Sequence, residues 1–189
     1  MEKAITVYCA SAANLPETYI AAARSLGEAM ARRGVRLITG AGRTGLMGAV
    51  ADAALACGGK VTGIIPRFMV ERGWHHNGLS ELKVVETMHE RKAAMASMSC
   101  AAIALPGGIG TLEELTEIMT WRQLGLFNGN VVIYNAGNYY APLVSMLKKA
   151  IDDGFMCADH KALYAIAESA EEALDLALAN SSVHFSPKF

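Results

Sequence analysis

Residues 100–124 read CAAIALPGGIGTLEELTEIMTWRQL. The run CAAIAL (100–105) is short and continuously apolar, which predicts a strand buried on both faces. Pro106 ends it, glycines follow at Gly107, Gly108 and Gly110, and a helical pattern runs from Thr111 to about Leu124. A strand, a glycine loop and a helix in that order make one βα unit of a parallel sheet.

The rest of the chain repeats the unit. Strands are expected at 3–9, 35–40, 60–65, 82–86 and 131–134, with a weak one in ALYAIA (162–167). Helices are expected at 16–34, ended by Gly34, and at 46–57, 89–99, near 141–153 and over 170–179. The least regular stretch, RFMVERGWHHNGLSE (67–81), reads either as a lid over a substrate or as plain connection. Apolar strands alternating with amphipathic helices predict an α/β, Rossmann-like three-layer fold, with a mostly parallel sheet flanked by helices on both faces. With no linker or internal repeat, residues 1–189 read as a single domain. In such open sheets, ligands bind outside the carboxyl ends of the strands.

Composition narrows the function classes. Of 189 residues, 52% are hydrophobic and 19% charged, which fits a folded globular chain. A net charge of −1 offers no basic stripe, so no nucleic-acid partner is expected. No run approaches the ~20 apolar residues that span a bilayer, and MEKAITVYCASAANLP lacks the pattern of a signal peptide. The expected setting is cytoplasmic, away from membranes. Cys9, Cys57, Cys100 and Cys157 lack disulfide or metal-ligand spacing and read as reduced, mostly buried thiols. His75 and His76 are adjacent, poor geometry for joint chelation, so no metal is expected.

Two glycine loops invite a phosphate. TGAGRTGLMGAV (39–50) holds G-x-G-x-x-G at Gly40, Gly42 and Gly45. A dinucleotide site would need an acid about 20 residues further on, where this chain has Ile64, Ile65, Pro66 and Arg67. The loop is left as an anion-binding or tight-packing turn. The loop Pro106–Thr111 is the better cradle. Its glycines clear Cβ atoms from the approach, Thr111 is expected to cap the next helix, and that helix's free N–H groups favour an anion. No lysine follows the glycines, so it is not the loop of an NTPase.

Beside that cradle stand Glu113 and Glu114, expected in the helix's first turn. Thr111-Leu112-Glu113-Glu114 fits a capping box, which would turn Glu114 back on the Thr111 N–H. The other reading gives the carboxylates chemistry to do. A second capping box at Thr87–Glu90 is followed by Arg91 and Lys92, two cations in a helix's opening turns, where each costs about 0.3–1 kcal/mol against the dipole. One helix start offers cations and the other carboxylates, both at the same end of the sheet. Met95, Met98 and Met119 fall near this region and read as core, interface or base pocket.

The motif P-G-G-x-G-T-x-x-E at Pro106–Glu114, MHERKAAM at 88–95, GLMGAV at 45–50 and TWRQLG at 120–125 resemble the Lonely Guy (LOG) family. The resemblance runs from Ile5 to about Leu178. It implies a homodimeric phosphoribohydrolase, needing no cofactor, that releases a cytokinin base or adenine from a nucleoside 5′-monophosphate. It implies Arg91 and Glu114 as the catalytic pair. The substrate-binding set it leads us to expect is Lys92, Gly107, Gly108, Ile109, Gly110, Thr111, Leu112, Glu113 and Thr120, joined by Gly42 and Ser11 from the neighbouring loops. Many relatives carry the label "lysine decarboxylase", yet no lysine here stands in an evident pyridoxal-phosphate setting. This chain departs from the family pattern at Cys9-Ala10-Ser11 and Gly40-Ala41-Gly42, where Ala10 and Ala41 each add a methyl expected beside the nucleotide.

On that basis Glu114 is expected to stabilise positive charge on the sugar or to orient water, and Glu113 to bind ribose hydroxyls. Arg91 would orient Glu114 or stabilise the departing base, with Lys92 adding positive charge. The rival from another class is a non-catalytic nucleotide or molybdenum-cofactor carrier using the same loops without turnover.

Overall fold

The computed structural model describes residues 3–180. Chain order runs β1 (Ala4–Tyr8), α1 (Glu17–Arg32), β2 (Arg36–Thr39), α2 (Gly45–Ala56), β3 (Val61–Pro66) and α3 (Arg67–Glu71). It continues with β4 (Glu81–Val85), α4 (Met88–Ser97), β5 (Ala101–Ala104), α5 (Ile109–Gln123) and β6 (Asn130–Tyr134). The last elements are α6 (Ala141–Asp152), β7 (Ala165–Ala167) and α7 (Ala170–Leu178).

The strands form one seven-stranded sheet in the order β4-β3-β2-β1-β5-β6-β7, every pair parallel. Side-chain alternation along each strand divides the core in two. Ile5, Val7, Leu37, Ala101, Ile103, Val132 and Tyr134 face the layer of α1, α2 and α7. Tyr8, Ile38, Ala102, Ala104, Val131 and Ile133 face the layer of α4, α5 and α6. The expected three-layer α/β fold is the one observed.

Sequence signals stop the elements where physics says they should. Gly34, at φ +63°, ends α1 in the left-handed region, and the Val35 N–H returns to the Met30 carbonyl at 2.9 Å. Three expectations need correction. The irregular stretch 67–81 contains α3, and the weak strand shrinks to Ala165–Ala167 because residues 158–163 wind into a 3-10 helix. The thiols are not mostly buried: Cys9 is, but Cys57, Cys100 and Cys157 are exposed, since each lies at an element's end. Among the described residues no helix is long and apolar enough to cross a membrane.

Chain order along the sheet reverses at β1. Strands β2 to β4 run outward on one side and β5 to β7 on the other. The loops leaving β1 and β5 therefore diverge and leave a crevice at their carboxyl ends, where a ligand enters this kind of sheet.

Candidate active site

Three loops and one helix start meet at that crevice. The loop after β1 carries Ala10 and Ser11, and the Ala10 N–H binds the Pro106 carbonyl at 3.1 Å, tying it to the loop after β5. The loop after β2 carries Gly40, Ala41 and Gly42. Beyond β4, α4 brings Arg91 and Lys92.

Helix α5 begins two residues earlier than its sequence suggests. Gly108 is the N-cap and Thr111 already lies inside the helix, so Thr111 does not cap it. The reason is local. Gly107 has no Cβ, and the Thr111 side chain packs into that space, where a Cβ would fall 2.1 Å from Thr111 Oγ1. With the start at Ile109, Glu113 and Glu114 leave the first turn, and the expected capping box with Thr111 does not form. The first-turn N–H groups of Ile109, Gly110 and Thr111 have no carbonyl one turn back to bond within the helix. Gly108 and Gly110 face open space and the Ile109 side chain is exposed, so these residues offer a ligand their backbone. Leu112 instead packs into the core layer of α4, α5 and α6.

The capping signal at Thr87 is real. Its side chain accepts the Glu90 N–H at 3.1 Å, while Glu90 reaches back to the Glu86 N–H at 3.0 Å. That fixed start turns Arg91 and Lys92 inward, both only 7% exposed. Each meets a carboxylate of α5. Arg91 Nη2 lies 3.7 Å from Glu114 Oε1, an ion pair longer than a hydrogen bond. Arg91 Nη1 points at the Met88 sulfur, 3.8 Å away, and Nε is buried without a hydrogen-bond partner. Lys92 Nζ is bonded to Glu113 and, at 2.9 Å, to Glu117.

Burial dominates the electrostatics. It pushes the Glu114 carboxyl up from 4.5 to about 7, against the opposing pull of Arg91. Burial also raises Tyr8 and Cys9, with Glu114 adding to both, so phenol and thiol stay protonated. Burial pulls the Lys92 ammonium down, but its hydrogen bonds to Glu113 and Glu117 more than reverse this and leave it raised.

A cavity of about 430 Å³ opens beside Arg91, lined among others by Ser11, Gly42, Ile65, Met69 and Trp74. Met69 and Trp74 come from the stretch 67–81, which the sequence left between lid and connection. It is tied down. Gly42 pairs with His75, the Arg43 N–H reaches the Trp74 carbonyl at 3.3 Å, and the His76 N–H reaches the Ala41 carbonyl at 2.8 Å. His76 Nε2 also meets Asp52 of α2 at 2.8 Å, and Arg72 lies over the rings of Phe68 and Trp74. The Gly42 N–H is spent on the Met47 sulfur at 3.0 Å, while Gly40, Gly42, Arg43 and Thr44 line the cavity wall.

The structure does not bring Thr120 to this cavity. Its hydroxyl bonds the Thr116 carbonyl at 2.8 Å, and its side chain lines a separate cavity of about 190 Å³ with Phe155 and His160. Beside that cavity Cys157, Asp159 and His160 each bring one donor atom within 4.8 Å of the others, a local cluster that wider cysteine spacing could not reveal. The Ala41 methyl is not beside the crevice mouth either. Ala41 is fully buried, and its methyl stands over Gly63 of β3. Ala10 packs against the core layer of α1, α2 and α7.

Two residues with no sequence signal support the loop after β5 from behind. Tyr139 Oη donates to the Gly107 carbonyl at 2.7 Å, and Tyr140 Oη donates to the Leu105 carbonyl at 2.7 Å.

A family model described as "Possible lysine decarboxylase" matches residues 47–177. The cytokinin riboside 5′-monophosphate phosphoribohydrolase of Rhodococcoides fascians is 46% identical over 155 residues, 82% of this chain and 78% of that protein. One of that name from Arabidopsis thaliana is 41% identical over 170 residues, 90% of this chain and 75% of that protein. Among solved structures, the molybdenum cofactor carrier protein of Chlamydomonas reinhardtii superposes with a TM-score of 0.69 at 21% identity, covering 92% of this chain and 94% of that one. At that identity the likeness is one of fold alone.

Proposed function

As this chain belongs to the Lonely Guy family of phosphoribohydrolases, we propose that it hydrolyses the N-glycosidic bond of an adenosine 5′-monophosphate, plain or N6-substituted. The products are the free base and ribose 5-phosphate. One observation carries the reading: Glu114, buried and poised at about 7, stands beside Arg91 one turn past a helix start whose N–H groups are free for an anion.

The chemistry follows from that arrangement. Breaking the bond from C1′ to the base nitrogen builds positive charge on the sugar, as in glycoside hydrolysis. The 5′-phosphate seats on the first-turn amides of α5 and places C1′ over the carboxylate. Ionised Glu114 stabilises the sugar cation and takes the proton of the attacking water, whose oxygen bonds C1′. The bond's electron pair leaves with the base, which takes up a proton. Arg91, with Nε lacking a protein partner, offers donors to substrate oxygen or to the departing base while it orients Glu114. Lys92 and Glu113 serve chiefly through each other. Their pair joins α4 to α5 and holds the charges around Glu114 fixed.

A lysine decarboxylase needs a lysine amine able to lose its proton for a Schiff base. Lys92, the one buried lysine among the described residues, is held charged by two carboxylates. The carrier reading shares fold and loops but gives no reason to bury an ion pair beside them.

The finer reading is an AMP-cleaving cytoplasmic homodimer. Leu124 and Leu126 after α5, Met146 on α6 and Phe155 are 63–78% exposed, large apolar side chains that a second copy would cover. Incubation with AMP and with N6-isopentenyl-AMP, with chromatographic identification of base and ribose 5-phosphate, tests the activity. Stoichiometric binding of intact nucleotide without products would replace hydrolase by carrier.

A further inference from the structure

The β6–α6 turn presents two consecutive tyrosines to the phosphate loop, and their hydroxyls land on different kinds of peptide. Tyr140 tethers the carbonyl of Leu105, whose peptide partner is Pro106, a residue with no N–H. Tyr139 tethers the carbonyl of Gly107, whose peptide partner is the N–H of Gly108, the α5 N-cap. All described peptides are trans, so carbonyl and N–H of one unit point opposite ways. Holding the Gly107 oxygen at 2.7 Å on the tyrosine side turns the Gly108 N–H away from Tyr139, and Gly108 itself borders open space, since a Cβ built on it would meet nothing within 4 Å beyond its own neighbours in the chain.

We infer that Tyr139 is a positioning residue for the substrate's phosphate, and that its hydroxyl aims the Gly108 N–H at a phosphate oxygen. The inference rests on the phosphate seat proposed above. A peptide flanked by two glycines has little steric resistance to rotation, so it needs a tether if it is to be preorganised. The tether is itself held. Tyr139 packs edge-on between Tyr19 (5.7 Å between centroids, 77°) and Tyr140 (5.1 Å, 87°). The Tyr140 N–H binds Asn135 Oδ1 at 2.8 Å, and Asn135 Nδ2 donates to Asn138 and Glu168. Tyr139 is 39% exposed, so losing its hydroxyl leaves the core filled.

The test is Tyr139→Phe beside Tyr140→Phe, measured by calorimetry with inorganic phosphate, ribose 5-phosphate and adenine, and by steady-state hydrolysis of AMP. Tyr139→Phe is expected to weaken phosphate and ribose 5-phosphate and to raise KM for AMP by about ten-fold, the upper worth of one neutral hydrogen bond. Adenine affinity, kcat and Tm stay near wild type. Tyr140→Phe lowers Tm, because its hydroxyl is buried, and leaves the ratio of phosphate to adenine affinity unchanged. Equal phosphate affinity in wild type and Tyr139→Phe overturns the inference, as does a parallel loss for adenine. Phosphate affinity that depends on Tyr139 in a protein without turnover of AMP sustains the tether and removes the hydrolase reading instead.

Discussion

The guanidinium of Arg91 lies against the backbone of Gly40, so close that a Cβ there would fall 1.7 Å from Nη2 and 2.8 Å from Cζ. The glycine that looks like part of a nucleotide fingerprint is there to admit an arginine. Gly40→Ala is expected to push the guanidinium off Glu114 and lower kcat for AMP hydrolysis by roughly 10²-fold, the cost of about 1 Å of misplacement. Gly42→Ala meets the flexible Met47 sulfur at 3.0 Å and is expected to cost far less. Steady-state kinetics of the two variants check it, and equal losses would break the link between Gly40 and Arg91.

Glu114 gives activity and stability opposite dependences on pH. Catalysis needs the carboxylate, so kcat/KM is expected to rise through about pH 7 as Glu114 ionises. Folding prefers the neutral acid. The folded pKa of about 7 exceeds the ordinary 4.5, so between those values the folded chain keeps a proton that the unfolded chain releases. This contribution is whole below pH 4.5 and declines until pH passes 7, in total roughly 3 kcal/mol. Glu114→Gln should lose hydrolysis and, having no carboxyl to titrate there, should lose most of the fall in stability between pH 5 and 8 that wild type shows. Urea titrations at pH 5 and 8, with kinetics on the same preparations, measure both effects.

The neighbouring charges move that ionisation in opposite directions. Glu113 raises Glu114 and Lys92 lowers it, each after the larger effects of burial and Arg91. The acidic limb of the pH–rate profile should therefore shift down in Glu113→Gln and up in Lys92→Met. Lys92→Met carries a second cost, because it leaves Glu113 and Glu117 without their shared cation. Limbs that coincide in both variants would remove Glu114 as the group being titrated.

Much of this was legible in the sequence, and what was not has physical reasons. Alternation of apolar strands and amphipathic helices depends on local periodicity, so the fold and the order of its strands along the chain were readable, while the start of β7 was not. Arg91 and Glu114 were readable as opposite charges at two helix starts, and the sheet brings those starts together at one edge. The start of α5 was misplaced because its cap is Gly108, which has no side chain to announce itself. Thr120 fits the family motif, yet within one chain it faces away from the crevice, which motif spacing does not encode. Tyr139 and Tyr140 were invisible because each binds a backbone carbonyl, 32 and 35 residues earlier, and a carbonyl carries no sequence signature.

Ala41 sits at φ +63°, a conformation that costs a non-glycine residue about 1–2 kcal/mol. Gly63 makes room for its methyl: a Cβ on Gly63 would come 2.6 Å from the Ala41 methyl and 2.4 Å from Leu79 Cδ1. The methyl that departs from the family's glycine run thus lies over a missing methyl on the next strand. Gly63→Ala alone is expected to destabilise by about 1–3 kcal/mol through overpacking. Ala41→Gly alone should change little, since relief of backbone strain offsets the roughly 0.8 kcal/mol of a buried methyl. Combined, the two should recover most of the loss, because Leu79 can turn its terminal methyl aside once Ala41 no longer fills the gap. Denaturant unfolding of all four proteins gives the coupling energy. Strict additivity would mean that Ala41 and Gly63 do not share that space, and an altered KM for AMP in Ala41→Gly would put the methyl back beside the nucleotide.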